Sequence, residues 1–329
     1  MNTVITAPTT GSPNMNKAKW LRHLDEYSLI LIFIALFVVL SFTVEYFFSW
    51  RNMIGLALSV SQIGMVACTM MFCLASRDFD LSIGSTVAFA GVLCAMVINQ
   101  TGSVTLGILA SLVGGGIIGF INGAVIAKLR INALITTLAT MEMVRGLAYI
   151  ASNGQAVGVS KESFFVLGNA EFLGIPSPVW ITILCFIVFG IMLNKTVYGR
   201  NTLAVGGNPD ASRLAGVNVD TTRIYIFLIQ GVIAALAGVI LASRITSGQP
   251  NAAQGFELNV ISACVLGGVS LMGGRATMSG VIVGVLIMGT VQNAMNLLNI
   301  DAFYQYLVRG GILLAAVLID QLKNRGQAD

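Results

Sequence analysis

Apolar residues run in long, nearly unbroken blocks along this chain, and polar residues gather in the short stretches between them. Ten blocks predict ten membrane-crossing helices, at roughly 27–48, 53–75, 82–99, 104–127, 132–151, 179–194, 223–243, 257–272, 278–298 and 303–320. The third and eighth are short and weakly bounded. All six prolines (8, 13, 176, 178, 209 and 250) fall outside the blocks, as suits residues that end helices.

Composition agrees with the pattern. Of 329 residues 56% are hydrophobic and 10% charged, and the mean hydropathy is +0.86. An ordinary soluble domain carries about 25% charged residues, so this chain cannot build a water-facing surface all round. An all-α polytopic membrane protein is expected: a polar tail over 1–26, a single membrane domain over 27–320, and a second tail over 321–329. The first block is too long for a signal-peptide core and lacks a small-x-small cleavage site, so it reads as a retained span. Five cysteines (68, 73, 94, 185 and 264) are scattered through the blocks, and the one histidine, His23, is in the tail. Neither a metal site nor a disulfide frame is expected from that spacing.

Charge sets the expected orientation. With both termini cytoplasmic, the inside loops and tails hold Lys or Arg at 17, 19, 22, 77, 128, 130, 195, 200, 213, 223, 275, 323 and 325. The outside loops hold only 51, 161 and 244, while Arg145 and Arg309 fall within spans. Thirteen against three is a firm positive-inside bias.

The stretch "FDLSIGSTVAFAGV" (79–92) lies over "FELNVISACVLGGV" (256–269) at a constant offset of 177, matching Phe79 to Phe256, Asp80 to Glu257 and Ser85 to Ser262. "VRGLAYIA" (144–151) against "VRGGILLA" (308–315) adds weaker support. Five spans per copy is an odd number, so the second copy must be inverted; two inverted five-helix repeats often enclose a transport path. Gly115, Gly119 and Gly123, and likewise Gly280 and Gly284, recur every four residues, a spacing that lets helix backbones approach closely.

Polar groups inside spans are costly and mark a pathway or a paired structural site. Asn132, Thr136 and Thr140 share one helix face, fit to bond sugar hydroxyls or a neighbouring helix. Glu142 and Arg145 are three apart and can pair with each other or serve a gate. Gln292, Asn293 and Asn296 form a second stripe. Asp78, Asp80 and Glu257 are expected at opposite span mouths, as helix caps, as anchors at the mouth or in contact with solute. The sequence contains no GxxxxGK[ST] phosphate loop, nucleophile elbow, metal cluster or long buried relay of acids and histidines.

The hydrophilic stretch "NTLAVGGNPDASRLAGVNVDTTR" (201–223) predicts a two-turn helix over 209–215. Asn208 suits the N-cap, Pro209 the first position, Asp210 the first turn, Arg213 the last turn and Gly216 the position after the C-cap. A helix that short is not stable alone and must dock on something. The expected docking segment spans about 195–222, with Gly206, Gly207, Asn208, Pro209, Asp210, Ala211, Arg213, Ala215 and Gly216 as its contact residues.

These residues carry a resemblance. "GRNTLAVGGNPDASRLAGV" is similar to the coupling segment of the permease subunits of bacterial ABC sugar importers of the ribose, galactose, xylose and arabinose group. "DFDLSIGS" resembles that group's D-L-S motif, with Ser76-Arg77 where Gly-Gly is usual, and "GFELNVISACVLGGVSLMGG" its third signature. The resemblance covers about residues 25 to 320. "INALITTLATMEMVRGLAYIASNGQAVGV" with "ESFFVLG" and "TSGQP" places it nearest the L-arabinose branch. It implies a homodimer in the bacterial inner membrane, a cytoplasmic ATPase subunit that binds ATP-Mg, a periplasmic sugar-binding protein, and no catalysis in this chain. A permease for another pentose or hexose such as ribose, xylose or galactose, a secondary sugar transporter, which lacks a visible coupling-ion site, and a passive channel, which has no reason for the docking helix, are the alternatives.

Overall fold

The computed structural model describes residues 15–325. Its helices are α1 (Met15–Thr43), α2 (Trp50–Ala75), α3 (Ile83–Thr101), α4 (Val104–Lys128), α5 (Ala133–Ser152), α6 (Glu162–Asn169), α7 (Ser177–Lys195), α8 (Val197–Gly207), α9 (Pro209–Leu214), α10 (Val219–Ile245), α11 (Phe256–Leu266), α12 (Met278–Leu297) and α13 (Ala302–Arg325). Four two-residue strands accompany them: β1 (Val157–Gly158) pairs antiparallel with β4 (Ser247–Gly248), and β2 (Glu171–Phe172) with β3 (Ile175–Pro176). Side chains at the helix starts take up free backbone N–H groups: Ser49, Ser103, Asn132, Thr196, Asn218 and Thr277 each accept from a first-turn amide.

The fold is that of a helical, multi-pass membrane protein. Seven described helices, α2, α3, α4, α5, α7, α10 and α12, are long and apolar enough to cross a membrane. The other three expected spans correspond to shorter apolar helices, Ser28–Thr43, Phe256–Leu266 and Ala302–Leu318. The block at 257–272 is the plainest correction. Its helix stops at Leu266 because Gly268 turns left-handed at φ 82°, and Val269 and Gly268 donate back to Cys264 and Val265. The expected tails 1–26 and 321–329 fall partly outside the described residues; where described, α1 starts early at Met15 and α13 runs to Arg325.

Helix α10 lies at the centre. The glycine stripe of α4 packs against it backbone to backbone: a Cβ on Gly115 would meet the Gly231 carbonyl at 2.4 Å, and one on Gly119 the Phe227 carbonyl at 2.1 Å. That order of contacts makes α4 and α10 antiparallel. Helix α3 instead runs parallel to α10, since Gly238 packs on Val87 and Gly248, just past the end of α10, on Gly91 and Val92. Helix α2 is sheathed by α10, α7, α12 and α11; Met65, Met70, Met71, Phe72 and Leu74 are all buried.

Helices α3 and α11 do not begin at an end of this pack. Ser82, ahead of α3, bonds Asn122 of α4, close after the Gly119–Phe227 contact, and Val87 packs on Gly238. The start of α3 is therefore level with the middle of α10. Residues 77–82, which form neither helix nor strand, lead to it from the end of α10 that begins at Val219, where Asp78 faces Arg223. From the other end, residues 246–255 turn back inward. Gly248 touches Gly91 and Val92, but the Ala253 carbonyl and the Glu257 carboxylate reach Gly84. Seven residues of helix separate those contacts, an inward descent of about 10 Å. Two re-entrant segments thus meet near mid-depth from opposite ends.

Candidate functional site

The docking segment takes the expected shape. Asn208 Oδ1 accepts from the amides of Asp210 and Ala211 at 3.0 Å each. Past the C-cap Ala215, Gly216 is left-handed at φ 85°; its amide donates to Arg213, and that of Val217 to Ser212, which closes the last turn. Arg213 pairs with Asp210 at 3.3 Å and Asp220 at 3.5 Å, and Lys128 of α4 reaches Asp220 at 3.9 Å. A shallow cavity of about 360 Å³ opens between Arg213, Gly216, Val217, Asn218, Val219 and Asp220. Asp210, Ala211, Arg213, Ala215 and Gly216 are exposed, and so is Leu214, at 92%.

Sequence reasoning missed two things here. Helix α8 precedes α9, and Leu214 is the apolar residue α9 presents outward. Gly206 is not available for contact as expected: it is buried, and a Cβ there would overlap the Ala75 carbonyl. Gly207 is exposed, and its carbonyl accepts from Arg77.

Residues 76–82 join this docking end to the interior. Arg77 is left-handed at φ 67°, a conformation that favours glycine, and its guanidinium also donates to the Met272 carbonyl. Asp78 and Asp80 are 5% and 1% exposed, so neither marks an open span mouth. Asp78 faces Arg223 of α10 at 3.1 Å and accepts from the Ser76 hydroxyl at 3.3 Å. The contact with Arg223 Nε lacks hydrogen-bond geometry and is charge against charge. Burial pushes the Asp78 carboxyl up to about 6, opposed by Arg223 and Ser76.

A buried chain of hydrogen bonds continues from Asp80. The amide and hydroxyl of Ser82 donate to Asp80 Oδ1 at 2.9 and 2.6 Å, Asn122 Nδ2 donates to Ser82 Oγ at 3.0 Å, and the Thr140 hydroxyl donates to Asn122 Oδ1 at 2.6 Å. The Thr137 hydroxyl lies 2.8 Å from the Ala133 carbonyl of its own helix and 3.2 Å from the Phe79 carbonyl. The expected stripe of Asn132, Thr136 and Thr140 therefore divides. Asn132 caps α5, Thr136 is buried and bonds the Asn132 carbonyl, and only Thr140 reaches another helix. Asn122, fully buried, is the unforeseen centre of the chain. An amide alone in the apolar run "GFINGAVIA" was its available signal.

Glu142 and Arg145 form no ion pair with each other, contrary to the spacing. Glu142 is exposed, while Arg145 turns the other way and donates to the Pro250 and Ala252 carbonyls at 2.7 Å each. Those two carbonyls point at it because residues 250–255 form turns, leaving acceptors that no helix satisfies. Glu257 sits beyond them, with Oε2 buried and without a hydrogen-bond partner among the described residues, against the first turn of α3.

The second polar stripe is structural in part. Asn293 and Asn52 exchange amide hydrogen bonds at 2.8 and 2.9 Å, tying α12 to α2. Asn296 Oδ1 accepts from Gln305 of α13 at 2.9 Å. Gln292 makes no such cross-helix bond and is half-buried.

Residues 52–317 match the family described as branched-chain amino acid transport system / permease component. The chain belongs to this family. Among its members, the chain is 58% identical over 303 residues to the L-arabinose transport system permease protein AraH of Escherichia coli K12, covering 92% of each. It is 56% identical over 300 residues to the L-arabinose ABC transporter permease protein AraH of Azospirillum brasilense, covering 91% of this chain and 88% of that one. Identity falls to 36% over 303 residues with the ribose import permease protein RbsC of Haemophilus influenzae, covering 91% and 94%. No solved structure matches. Family membership gives the two re-entrant segments and helix α9 a common setting, a permease.

Proposed function

We propose that this chain is the membrane subunit of an ATP-driven importer of a monosaccharide, L-arabinose, in the bacterial inner membrane. The observation that carries the sugar is the step in identity, from 58% against an L-arabinose permease to 36% against a ribose permease, each over 303 residues. In this reading two copies form the path. The 195–222 segment docks a cytoplasmic ATPase subunit that holds ATP-Mg, and a periplasmic binding protein delivers sugar from the other side. Catalysis belongs to the ATPase subunit, and this chain holds no cofactor.

Ten spans arranged as two inverted five-helix repeats fit this reading. Helices α1, α11 and α13 add their shorter apolar segments to the seven long ones. The repeated stretches "FDLSIGS" and "FELNVIS" are the ones that carry a re-entrant segment into a helix start. Orientation with both termini inside puts Arg77, Lys128, Arg213 and Arg223 together at the cytoplasmic end, and Lys161 and Arg244 at the other. Asn132, Thr136, Thr140, Glu142, Arg145, Gln292, Asn293 and Asn296 line or support the path and its gates.

Proteoliposomes containing this chain, its ATPase subunit and an arabinose-binding protein are expected to take up L-arabinose only with ATP inside. Uptake driven by an ion gradient without ATP would make it a secondary transporter. ATP-driven uptake of ribose in preference to arabinose, with the matching binding proteins compared, would overturn the sugar.

A further inference from the structure

Helix α5, like α4 and α7, buries little of its surface. Its buried residues are confined to Ala133, Thr136, Thr137, Val144, Ala148 and Ser152, and most of its large apolar side chains are exposed. Its attachment to the rest of the chain therefore depends heavily on polar bonds. Those bonds go to two places only recognisable together in three dimensions. Thr137 lies against the Phe79 carbonyl, and Thr140 bonds Asn122, which in turn bonds Ser82, itself bonded to Asp80. Arg145 grips Pro250 and Ala252. One helix thus holds both re-entrant segments, at points eight residues or about 12 Å apart along its axis.

We propose that α5 ties the two re-entrant segments to each other, with Thr140 and Arg145 as the positioning residues that pass movement at the docking end to the segment approaching from the far end. The inference rests on the permease reading above. The first segment is already joined to the docking end, through Arg77 on the Gly207 carbonyl and Asp78 on Arg223. The segments also touch at their tips, where Gly84 meets Glu257 and Ala253. A shift of residues 77–82 relative to 250–257 must either separate these tips or press them together. The length of α5 between Thr137 and Arg145 fixes which displacement of one segment accompanies a given displacement of the other. Hydrogen bonds from a guanidinium to carbonyls are strong enough to transmit such a shift, because breaking them leaves a half-buried charge without these acceptors.

The test uses the reconstituted complex and reads sugar molecules imported per ATP hydrolysed. Arg145→Met is expected to lower that ratio by about fivefold or more, and Thr140→Val to lower it less. Arg145→Lys, which keeps one donor, is expected to recover part of the loss. A merely structural role would reduce uptake and hydrolysis in proportion and leave the ratio at the wild-type value, and that result overturns the proposal. Should Arg145→Met not assemble, Arg145→Lys and Thr140→Val decide by the same ratio. Wild-type complex without ATP-driven uptake would remove the permease reading itself, an outcome distinct from a normal ratio in the variants.

Discussion

The guanidinium of Arg77, just past the end of α2, donates to the carbonyl of Gly207, the last residue of α8, at 3.0 Å. Residues 130 apart in the chain are thereby joined at the base of the docking segment. Arg77 holds this bond from a left-handed backbone that costs a non-glycine residue about 1–2 kcal/mol. Two substitutions separate the strain from the bond. Arg77→Ala loses the bond and keeps the strain; Arg77→Gly loses the bond and relieves it. Thermal unfolding of the solubilised chain should rank Gly above Ala. ATP hydrolysis stimulated by sugar-loaded binding protein should fall in both, by about threefold, if the bond steadies the docking end.

Leu214 and Gly216 test the docking face directly. Leu214→Asp places charge on the exposed apolar tip of α9 and should abolish co-purification of the ATPase subunit while the chain inserts at normal levels. Gly216→Val puts a β-branched residue at φ 85° and should unwind the last turn, at a cost of about 1–2 kcal/mol. Asp210→Arg should weaken assembly by placing positive charge at the N-terminus of α9. Normal assembly in all three would mean that the ATPase subunit docks elsewhere.

Asp78 predicts a pH dependence of a definite sign. Its carboxyl lies at about 6 in the fold against an ordinary value of 3.8. The folded chain therefore holds the proton more tightly than the unfolded one, and stability falls as pH rises from about 4 to about 6, then levels. Unfolding midpoints of the detergent-solubilised chain at pH ~5 and ~7 should show this drop, and Asp78→Asn should shrink it. A wild-type midpoint that rises across that interval, with the rise absent in the variant, would show that Arg223 outweighs burial.

Gly84→Ala probes the meeting point of the re-entrant segments. The new Cβ would lie 2.4 Å from Glu257 Oε2 and 2.6 Å from the Ala253 carbonyl, so the segments must part. A cost of about 1–3 kcal/mol is expected from such overpacking. Glu257→Ala in the same chain should restore part of it, since one of the two obstacles is a side chain. No loss in Gly84→Ala would mean that the two segments are not in contact.

Helix positions were legible because burial in lipid demands long apolar runs, and the caps of α9 because each end uses a residue type with a single strong preference. Asn208, Pro209 and Gly216 could be read off directly. The Glu142–Arg145 spacing misled, since helical neighbours at i and i+3 also point partly apart, and the unsatisfied carbonyls of 250–255 offered Arg145 more than an exposed carboxylate did. Asn122 was hidden for the opposite reason. Its partners, Ser82 and Thr140, lie 40 and 18 residues away, and only the packing of α3, α4 and α5 brings them to it. Re-entrance of 77–82 and 246–255 was equally invisible: hydropathy records how apolar a run is, not the depth at which it starts.

The contact of Gly119 with Phe227 and of Gly115 with Gly231 leaves no side-chain layer between α4 and α10. A sugar cannot slip through a seam where two main chains touch, and neither helix can slide along the other by a fraction of a turn without a carbonyl striking a Cβ. The pair is consequently a closed wall that turns only as one piece. Any opening large enough for a hydrated solute has to form on a different side of the chain, and the bending that accompanies it has to be taken up by the non-helical residues 77–82 and 246–255 rather than by the helices they interrupt.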